Sequence, residues 1–96
     1  MRFVTLINFT AQGVSKYRDT TKRAKEFAKQ AKSAGLTIHQ QLWTQGQYDG
    51  LLVYDAADAE TAAATMLNLS AKGNVQTQTM VAFDAEGMDK VLAKSK

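Results

Sequence analysis

The side chains best suited to chemistry lie around one short turn. Tyr48 and Asp49 follow Gly46, and a phenol beside a carboxylate can serve as proton donor and acceptor. The structural alternative is that Asp49 bonds backbone N–H groups near the turn, while Tyr48 packs and bonds its hydroxyl locally. We favour the structural interpretation from these residue types alone.

His39 and Trp43 precede this turn in a segment with the composition of a β-strand. Alternation along a strand predicts that the two share one face, since they are four residues apart. They could form a binding surface, with Trp43 as a flat apolar wall and His39 as a titratable group. The alternative, which we favour, is a half-buried strand at a subunit interface, where Trp is enriched.

Asn8 is a further candidate because it interrupts an otherwise apolar strand. A half-buried amide needs hydrogen-bond partners, which a bound molecule, the backbone or a neighbouring Thr can supply. No catalytic residue is assigned. The predicted ligand-binding set consists of Asn8, His39, Trp43, Tyr48 and Asp49.

Metal, cofactor and nucleophile chemistry have little support in the sequence. The chain has one His and no Cys, and no carboxylate lies at ligand spacing from His39. A structural zinc site needs four N or S donors, and haem needs an axial ligand. Phosphate-binding glycine loops and a nucleophile elbow are absent from the sequence. No metal or cofactor is therefore predicted.

A regular alternation of elements must position these side chains. Capping residues predict one helix from Asp19–Thr20 to Gly35, a second from Asp58 to Gly73, and a short one after Asp84. The segment 11–15 suits a turn or a short helical turn. β-Branched and aromatic residues predict strands over residues 2–10, 36–44, 48–55 and 75–83.

Apolar residues in the two long helices repeat at helical spacing, so each helix is expected to cover a sheet. The stripe of the first helix consists of Ala24, Phe27, Ala28 and Ala31. The stripe predicted for the second consists of Ala59, Ala62, Ala63, Met66 and Leu67.

The order of these elements predicts the fold. Strand-helix-strand, repeated and sharing one sheet through right-handed crossovers, gives the ferredoxin-like βαββαβ arrangement. We therefore predict an α+β protein with an antiparallel four-stranded sheet and a short C-terminal helix. Ninety-six residues suit a single domain over residues 1–96.

The first strand predicts a partner. Its odd face carries Phe3 and Ile7 and its even face Val4 and Leu6, whereas a strand with one solvated face alternates apolar and polar residues. Helices can cover only one of these faces. A second copy packed sheet to sheet is the simplest cover for the other, so a homodimer or higher homo-oligomer is predicted.

The net charge of +3 is concentrated in residues 16–32, which hold seven basic and two acidic residues. A basic helix face can bind nucleic acid, but a solvated face is commoner. The segment 46–54 also lacks a stacking aromatic that an RNA-recognition motif requires, so nucleic acid is not a predicted partner. With no signal-peptide pattern or long apolar run, we expect a cytoplasmic protein without a membrane partner.

Three separated segments resemble the GYD-domain family, which is named for a Gly–Tyr–Asp element. They are FVTLINFTAQG at 3–13, WTQGQYDG at 43–50 and GNVQTQT at 73–79, and the resemblance covers residues 1–95. It implies a dimeric α/β-barrel but no particular reaction. The wider superfamily includes cofactor-free monooxygenases, haem-degrading enzymes and isomerases, so the chain is not assigned as an enzyme on this ground.

Three functional hypotheses follow. The first is a pocket for a small apolar or aromatic molecule between sheet and helices, near Asn8 and the hairpin at 43–49. The second is a cofactor-independent monooxygenase, since such superfamily members often hold a phenolic substrate with Asn, Trp and Tyr, here Asn8, Trp43 and Tyr48. The third is a structural or assembly module in which the motif only builds the turn and the interface.

Overall fold

A four-stranded antiparallel sheet organises the chain in the computed structural model, which describes residues 1–95. The elements are β1 (Arg2–Phe9), α1 (Ala11–Ser15), a 3₁₀ turn (Tyr17–Asp19), α2 (Thr20–Ser33), β2 (Thr37–Trp43), β3 (Gly50–Asp55), α3 (Ala59–Ala71), β4 (Val75–Ala82) and α4 (Ala85–Lys94). The strand order is β2-β3-β1-β4. This confirms the predicted α+β, ferredoxin-like fold.

Most helix ends lie where the sequence predicts them. Asp58 and Asp84 each accept a backbone N–H three residues further on, at 2.7 Å, and so cap α3 and α4. Gly35 and Gly73 follow α2 and α3 with φ of 94° and 84°, a conformation that glycine adopts without strain. Asp19 makes no capping side-chain bond, because the 3₁₀ turn leads directly into α2.

The helices α2 and α3 cover one face of the sheet, which we call the helix face. Phe27 and Ala31 of α2 are buried there, in agreement with the predicted stripe of this helix. The predicted stripe of α3 is partly wrong, since Ala63 is exposed and Leu67 is 70% exposed. The buried residues of the core are Phe3, Phe27, Ala31, Leu36, Leu52, Tyr54, Ala56, Ala62 and Met66.

A chain of hydroxyl groups on the helix face runs from the core to exposed Thr79. The Tyr54 hydroxyl and Thr5 Oγ1 are 2.8 Å apart, and Thr5 Oγ1 lies 2.8 Å from Thr79 Oγ1. Because Thr5 and Tyr54 are fully buried, each needs such a partner to offset the loss of water. The Tyr54 ring also stacks on Phe3, with centroids 5.7 Å apart. These contacts fix the register of the central strands.

A β-bulge in β2 changes which side chains face the helices. Ile38 pairs with Tyr54 and Gln40 with Val53, so one extra residue, His39, lies between two successive pairs. Beyond the bulge the alternation is inverted. His39 therefore lies on the side away from the helices, whereas Trp43 faces α2. The prediction that His39 and Trp43 share a face is wrong for this reason.

The turn between β2 and β3 is longer than predicted. β3 begins at Gly50 rather than at Tyr48, and residues 44–49 form the connection. Thr44 closes it, since its N–H donates to the Asp49 carbonyl at 3.0 Å and its hydroxyl to the Tyr48 carbonyl at 2.6 Å. The Gly46–Tyr48–Asp49 element thus lies in the connection and not in a strand.

The side of the sheet away from the helices, which we call the open face, is apolar at its centre. Within this chain β1 is thus covered on one face only, and its even-numbered residues are half-buried. The apolar side chains of the open face are Val4, Leu6, Leu42, Leu51, Val53 and Met80.

The helix α4 lies after the last strand and is largely exposed. Phe83, Met88 and Leu92 are 56%, 44% and 56% exposed, respectively. Between residues 1 and 95, no helix is long and apolar enough to cross a membrane.

One corner of the open face carries a group of charged and titratable residues. Arg2 Nε donates to Asp55 Oδ1 at 3.1 Å, and His39 Nε2 lies 2.8 Å from Asp55 Oδ2. The hydrogen bond from Arg2, followed by that from His39, lowers the pKa of Asp55 from 3.8 to about 2. His39 follows Ile38, which faces the helices, so its side chain lies on the same face as Asp55.

The lowered pKa of Asp55 predicts an acid-dependent part of the stability. A carboxylate with a depressed pKa stabilises the fold above its unfolded pKa and loses that contribution as the pH falls through the folded value. The difference in unfolding free energy between wild type and Asp55→Asn should therefore fall towards zero as the pH is lowered from about 4 to about 2. We expect no more than about 1 kcal/mol at neutral pH, because the pair is partly exposed.

Urea denaturation at pH 7, 4, 3 and 2 would measure this difference. Asp89→Asn removes an exposed carboxylate of α4 and serves as the control. A wild-type advantage over Asp55→Asn that persists unchanged at pH 2 would contradict the assigned role of the carboxylate.

Candidate functional site

A cavity of about 250 Å³ lies between α2 and the helix face of the sheet. It is located where β1 ends, where β2 turns into β3, and where α3 leads into β4. Most of its wall is apolar, which is typical of small-molecule sites. The apolar lining includes Ile7, Phe9, Phe27, Leu52, Leu69 and Val75.

Small residues on the sheet and on α2 leave this space open. Gly50 lies on the helix face, opposite Trp43 on one side and Ile7 on the other. A Cβ at Gly50 would lie 2.9 Å from the Leu42 carbonyl oxygen, so a larger residue does not fit without backbone movement. Ala24 lines the cavity from α2. A glycine of the sheet and an alanine of α2 thus line the cavity at positions where larger side chains would fill it.

Trp43 forms one wall of the cavity. Its indole Nε1–H donates to Thr20 Oγ1, in the first turn of α2, at 3.0 Å. The side chain is 46% exposed, so the wall borders both the cavity and the solvent. Trp43 thus lies in the wall of the cavity without His39 beside it.

Asp49 lines the cavity and connects the turn to the first strand. Its Oδ2 accepts the Phe9 N–H at 2.8 Å, and its own N–H donates to the Ile7 carbonyl at 2.8 Å. The two bonds continue the β1–β3 ladder past its last regular pair. Asp49 therefore has the structural role that we favoured, although the N–H that it binds belongs to β1 and not to the turn.

The other three predicted residues lie outside the cavity. The Tyr48 hydroxyl donates to Gln78 Oε1 at 3.4 Å, and Gln78 belongs to the open face of β4. Asn8 pairs with Gln76 on the same face. His39 is at the opposite corner with Arg2 and Asp55. The structure thus brings Trp43 and Asp49 together at the cavity and separates Asn8, His39 and Tyr48 from it.

Arg23 also lines the cavity. In the sequence it is only one of many basic residues, so nothing singles it out at first sight. Its Nη1 donates to the Lys16 carbonyl at 2.8 Å, whereas its buried Nη2 has no hydrogen-bond partner in the described chain. The spacing could have identified Arg23, because it lies four residues before Phe27 and eight before Ala31 and so shares their side of α2. A basic residue in an apolar stripe indicates a buried charge.

Further polar groups line the rim of the cavity. The Gln41 side chain donates to the Ala24 carbonyl at 3.4 Å, which holds β2 against α2. Lys72 follows α3 and donates to Gln30 Oε1 at 3.2 Å. Glu26, Asp49 and Asn74 also border the cavity. The arrangement is an apolar pocket with polar groups at its edge, suited to holding an amphipathic molecule.

Comparisons with known proteins agree with this architecture. The family model described as "GYD domain" matches residues 3–92. A curated relative from Thermus thermophilus, "Glutamine synthetase and cystathionine beta-lyase binding protein", is 32% identical over 82 residues. The alignment covers 84% of this chain and 86% of the relative. Comparison with solved structures gives no significant match.

The family match confirms the resemblance seen in the three sequence segments, and it covers nearly the whole chain. The chain therefore belongs to the GYD-domain family.

Proposed function

We propose that the protein binds a small, apolar or aromatic molecule in the cavity between α2 and the sheet. The single observation that carries this proposal is the space of about 250 Å³ with a largely apolar wall. A cavity of ~150 Å³ is enough for benzene, so this one can hold a substituted or fused aromatic ring. Trp43 supplies a flat surface against which such a ring can stack.

The geometry gives less support to a cofactor-independent monooxygenase. That hypothesis required Asn8, Trp43 and Tyr48 around one substrate. Asn8 and Tyr48 lie on the open face, whereas Trp43 faces α2. Because the sheet separates them, these residues do not converge on one molecule within a single chain. The proposal is therefore binding, with no turnover assigned.

We also propose that two copies pair through their open faces. The centre of this face is apolar, and its charged groups are confined to the corner formed by Arg2, Asp55 and His39. Gln40, Gln76 and Gln78 border the apolar centre. An apolar centre with a polar rim is the usual anatomy of a protein interface. Packing two such sheets face to face would cover β1 on its second side.

A second candidate function is the binding of another protein. The support comes from the relative in Thermus thermophilus, whose name describes a protein that binds two enzymes. Besides the open face, the end of β4 and the helix α4 carry an apolar surface, with Phe83, Met88 and Leu92 exposed. Met88 and Leu92 are one helical turn apart and so form a continuous patch. This surface suits a partner with an apolar groove.

The cavity proposal predicts that 2-naphthamide, a neutral arene, binds next to Trp43. The chain has a single Trp, so its indole N–H gives one resolved NMR signal that should shift during the titration. Ala24→Leu should weaken binding about tenfold or more, because the larger side chain occupies the cavity. Ala64→Leu, at an exposed position of α3, is the matched control. Unaltered spectra at saturating arene would refute the cavity as a binding site for such molecules.

The pairing proposal predicts a dimer that one charge can separate. Leu6→Lys places an ammonium at the centre of the open face, where pairing would bury it without a counter-charge. We expect twice the chain mass for wild type by light scattering and a monomer for Leu6→Lys. Leu67→Lys makes the same exchange on the far side of α3 and should remain dimeric. A monomeric wild type, or a dimeric Leu6→Lys, would eliminate the open face as the interface.

The protein-binding candidate predicts a complex with purified glutamine synthetase or cystathionine β-lyase from the same source. Size-exclusion chromatography with multi-angle scattering should show co-elution. Leu92→Lys should abolish it, because a charge replaces the centre of the apolar patch on α4. Leu67→Lys again serves as the control. Separate elution of both enzymes from the wild-type protein would count against this function.

A further inference from the structure

Arg23, which borders the cavity, carries a buried hydrogen-bond donor that the described chain leaves without an acceptor. This donor is Nη2 of the guanidinium. A buried polar atom without a partner costs about 1–3 kcal/mol, and more if the group is charged. Native proteins rarely contain such atoms unless a ligand or water satisfies them. The unpaired N–H groups of Nη2 thus indicate what a ligand should offer.

The position of Arg23 is fixed by the rest of its side chain. Nη1 donates to the Lys16 carbonyl, which closes the segment between α1 and α2. The planar guanidinium is thereby held in one orientation, with Nη2 left for another acceptor. A guanidinium held in this way binds carboxylates better than a mobile ammonium group does, because its donors are already oriented.

A second donor lies nearby on the same helix. Thr20 Oγ1 accepts from the Trp43 indole, and its own hydroxyl proton remains available to donate. Thr20 is the first residue of α2, a helix of 14 residues, so the positive end of the helix dipole lies at this side of the cavity. Arg23, Thr20 and the helix dipole all favour a negatively charged group beside α2.

Acidic side chains border the cavity but do not neutralise Arg23. Glu26 is exposed, and the Asp49 carboxylate accepts the Phe9 N–H on the side of the sheet. Among the described residues, no carboxylate oxygen lies within 4.0 Å of the guanidinium of Arg23. The guanidinium therefore keeps its charge uncompensated next to an apolar space.

We infer that the ligand of the cavity is a small aromatic or apolar carboxylic acid, whose carboxylate binds Arg23 while its ring lies against Trp43. The inference rests on the proposed binding function and adds the charge of the ligand and the residue that recognises it. The apolar wall takes the ring, and the donors on α2 take the carboxylate. The apolar wall and the donors on α2 thus orient the two ends of the molecule.

The test compares 2-naphthoate with 2-naphthamide, which has the same shape without the charge. Dissociation constants come from the Trp43 indole signal and from calorimetry at neutral pH. Wild type should bind the acid about tenfold or more tightly than the amide. Arg23→Gln should remove this preference while leaving amide binding nearly unchanged. Arg18→Gln makes the same exchange at an exposed position before α2 and should keep the preference.

Two further variants distinguish the guanidinium of Arg23 from positive charge in general. Arg23→Lys keeps the charge but loses the planar fork, so it should retain only part of the preference. Lys25→Gln removes an exposed cation of α2 outside the cavity lining and should have little effect. An unchanged thermal midpoint and an unchanged position of the Trp43 signal in the free Arg23→Gln variant establish that its fold is intact.

The possible outcomes distinguish the inference from the function on which it rests. Equal affinity of wild type for acid and amide would overturn the inference and leave the binding function standing. A preference that survives in Arg23→Gln would overturn the assignment to Arg23. If neither compound binds, both the inference and the proposed function fail. Selective loss of acid binding in Arg23→Gln supports both.

Discussion

The β-bulge at His39 is the constraint on which the two surfaces of the molecule depend. Side chains alternate along a strand, so one extra residue moves every later side chain to the opposite face. Without it, Leu42 instead of Trp43 would face α2, and Trp43 would lie on the open face. The bulge therefore places Trp43 in the wall of the cavity and Leu42 on the open face.

The cavity and the open face lie on opposite sides of one sheet, and this separation divides the candidate roles. Most residues that border the space between α2 and the sheet lie on the helix face, whereas pairing would use the open face. Leu42 and Leu51 are shared, because they belong to the open face and also border the cavity. Residues 44–49 contact both sides, because Asp49 borders the cavity whereas Tyr48 reaches Gln78 on the open face. This connection therefore borders both candidate surfaces.

The sequence was sufficient for the fold and insufficient for the site, for identifiable physical reasons. Caps such as Asp58 and Asp84 act through local backbone bonds, so their residue types reveal them. The bulge is not visible in this way, because it depends on the pairing of β2 with β3. Leu67 follows the helical spacing of the predicted stripe and is nevertheless exposed, because α3 buries Thr65 and Met66 instead. Arg23 could have been found from its place in the apolar stripe, but its missing acceptor is a property of the packed structure.

Because β1 is a central strand, its position restricts the order in which the strands can pair during folding. β1 pairs along its length with β4, so residues near the start of the chain meet residues near position 80. During synthesis β1 must wait until residues 75–82 have been made before its second neighbour exists. Such distant pairing slows folding, since a long loop has to close before the contacts stabilise it. Until then one edge of β1 is unpaired, and we expect the nascent chain to be most prone to aggregation at this strand.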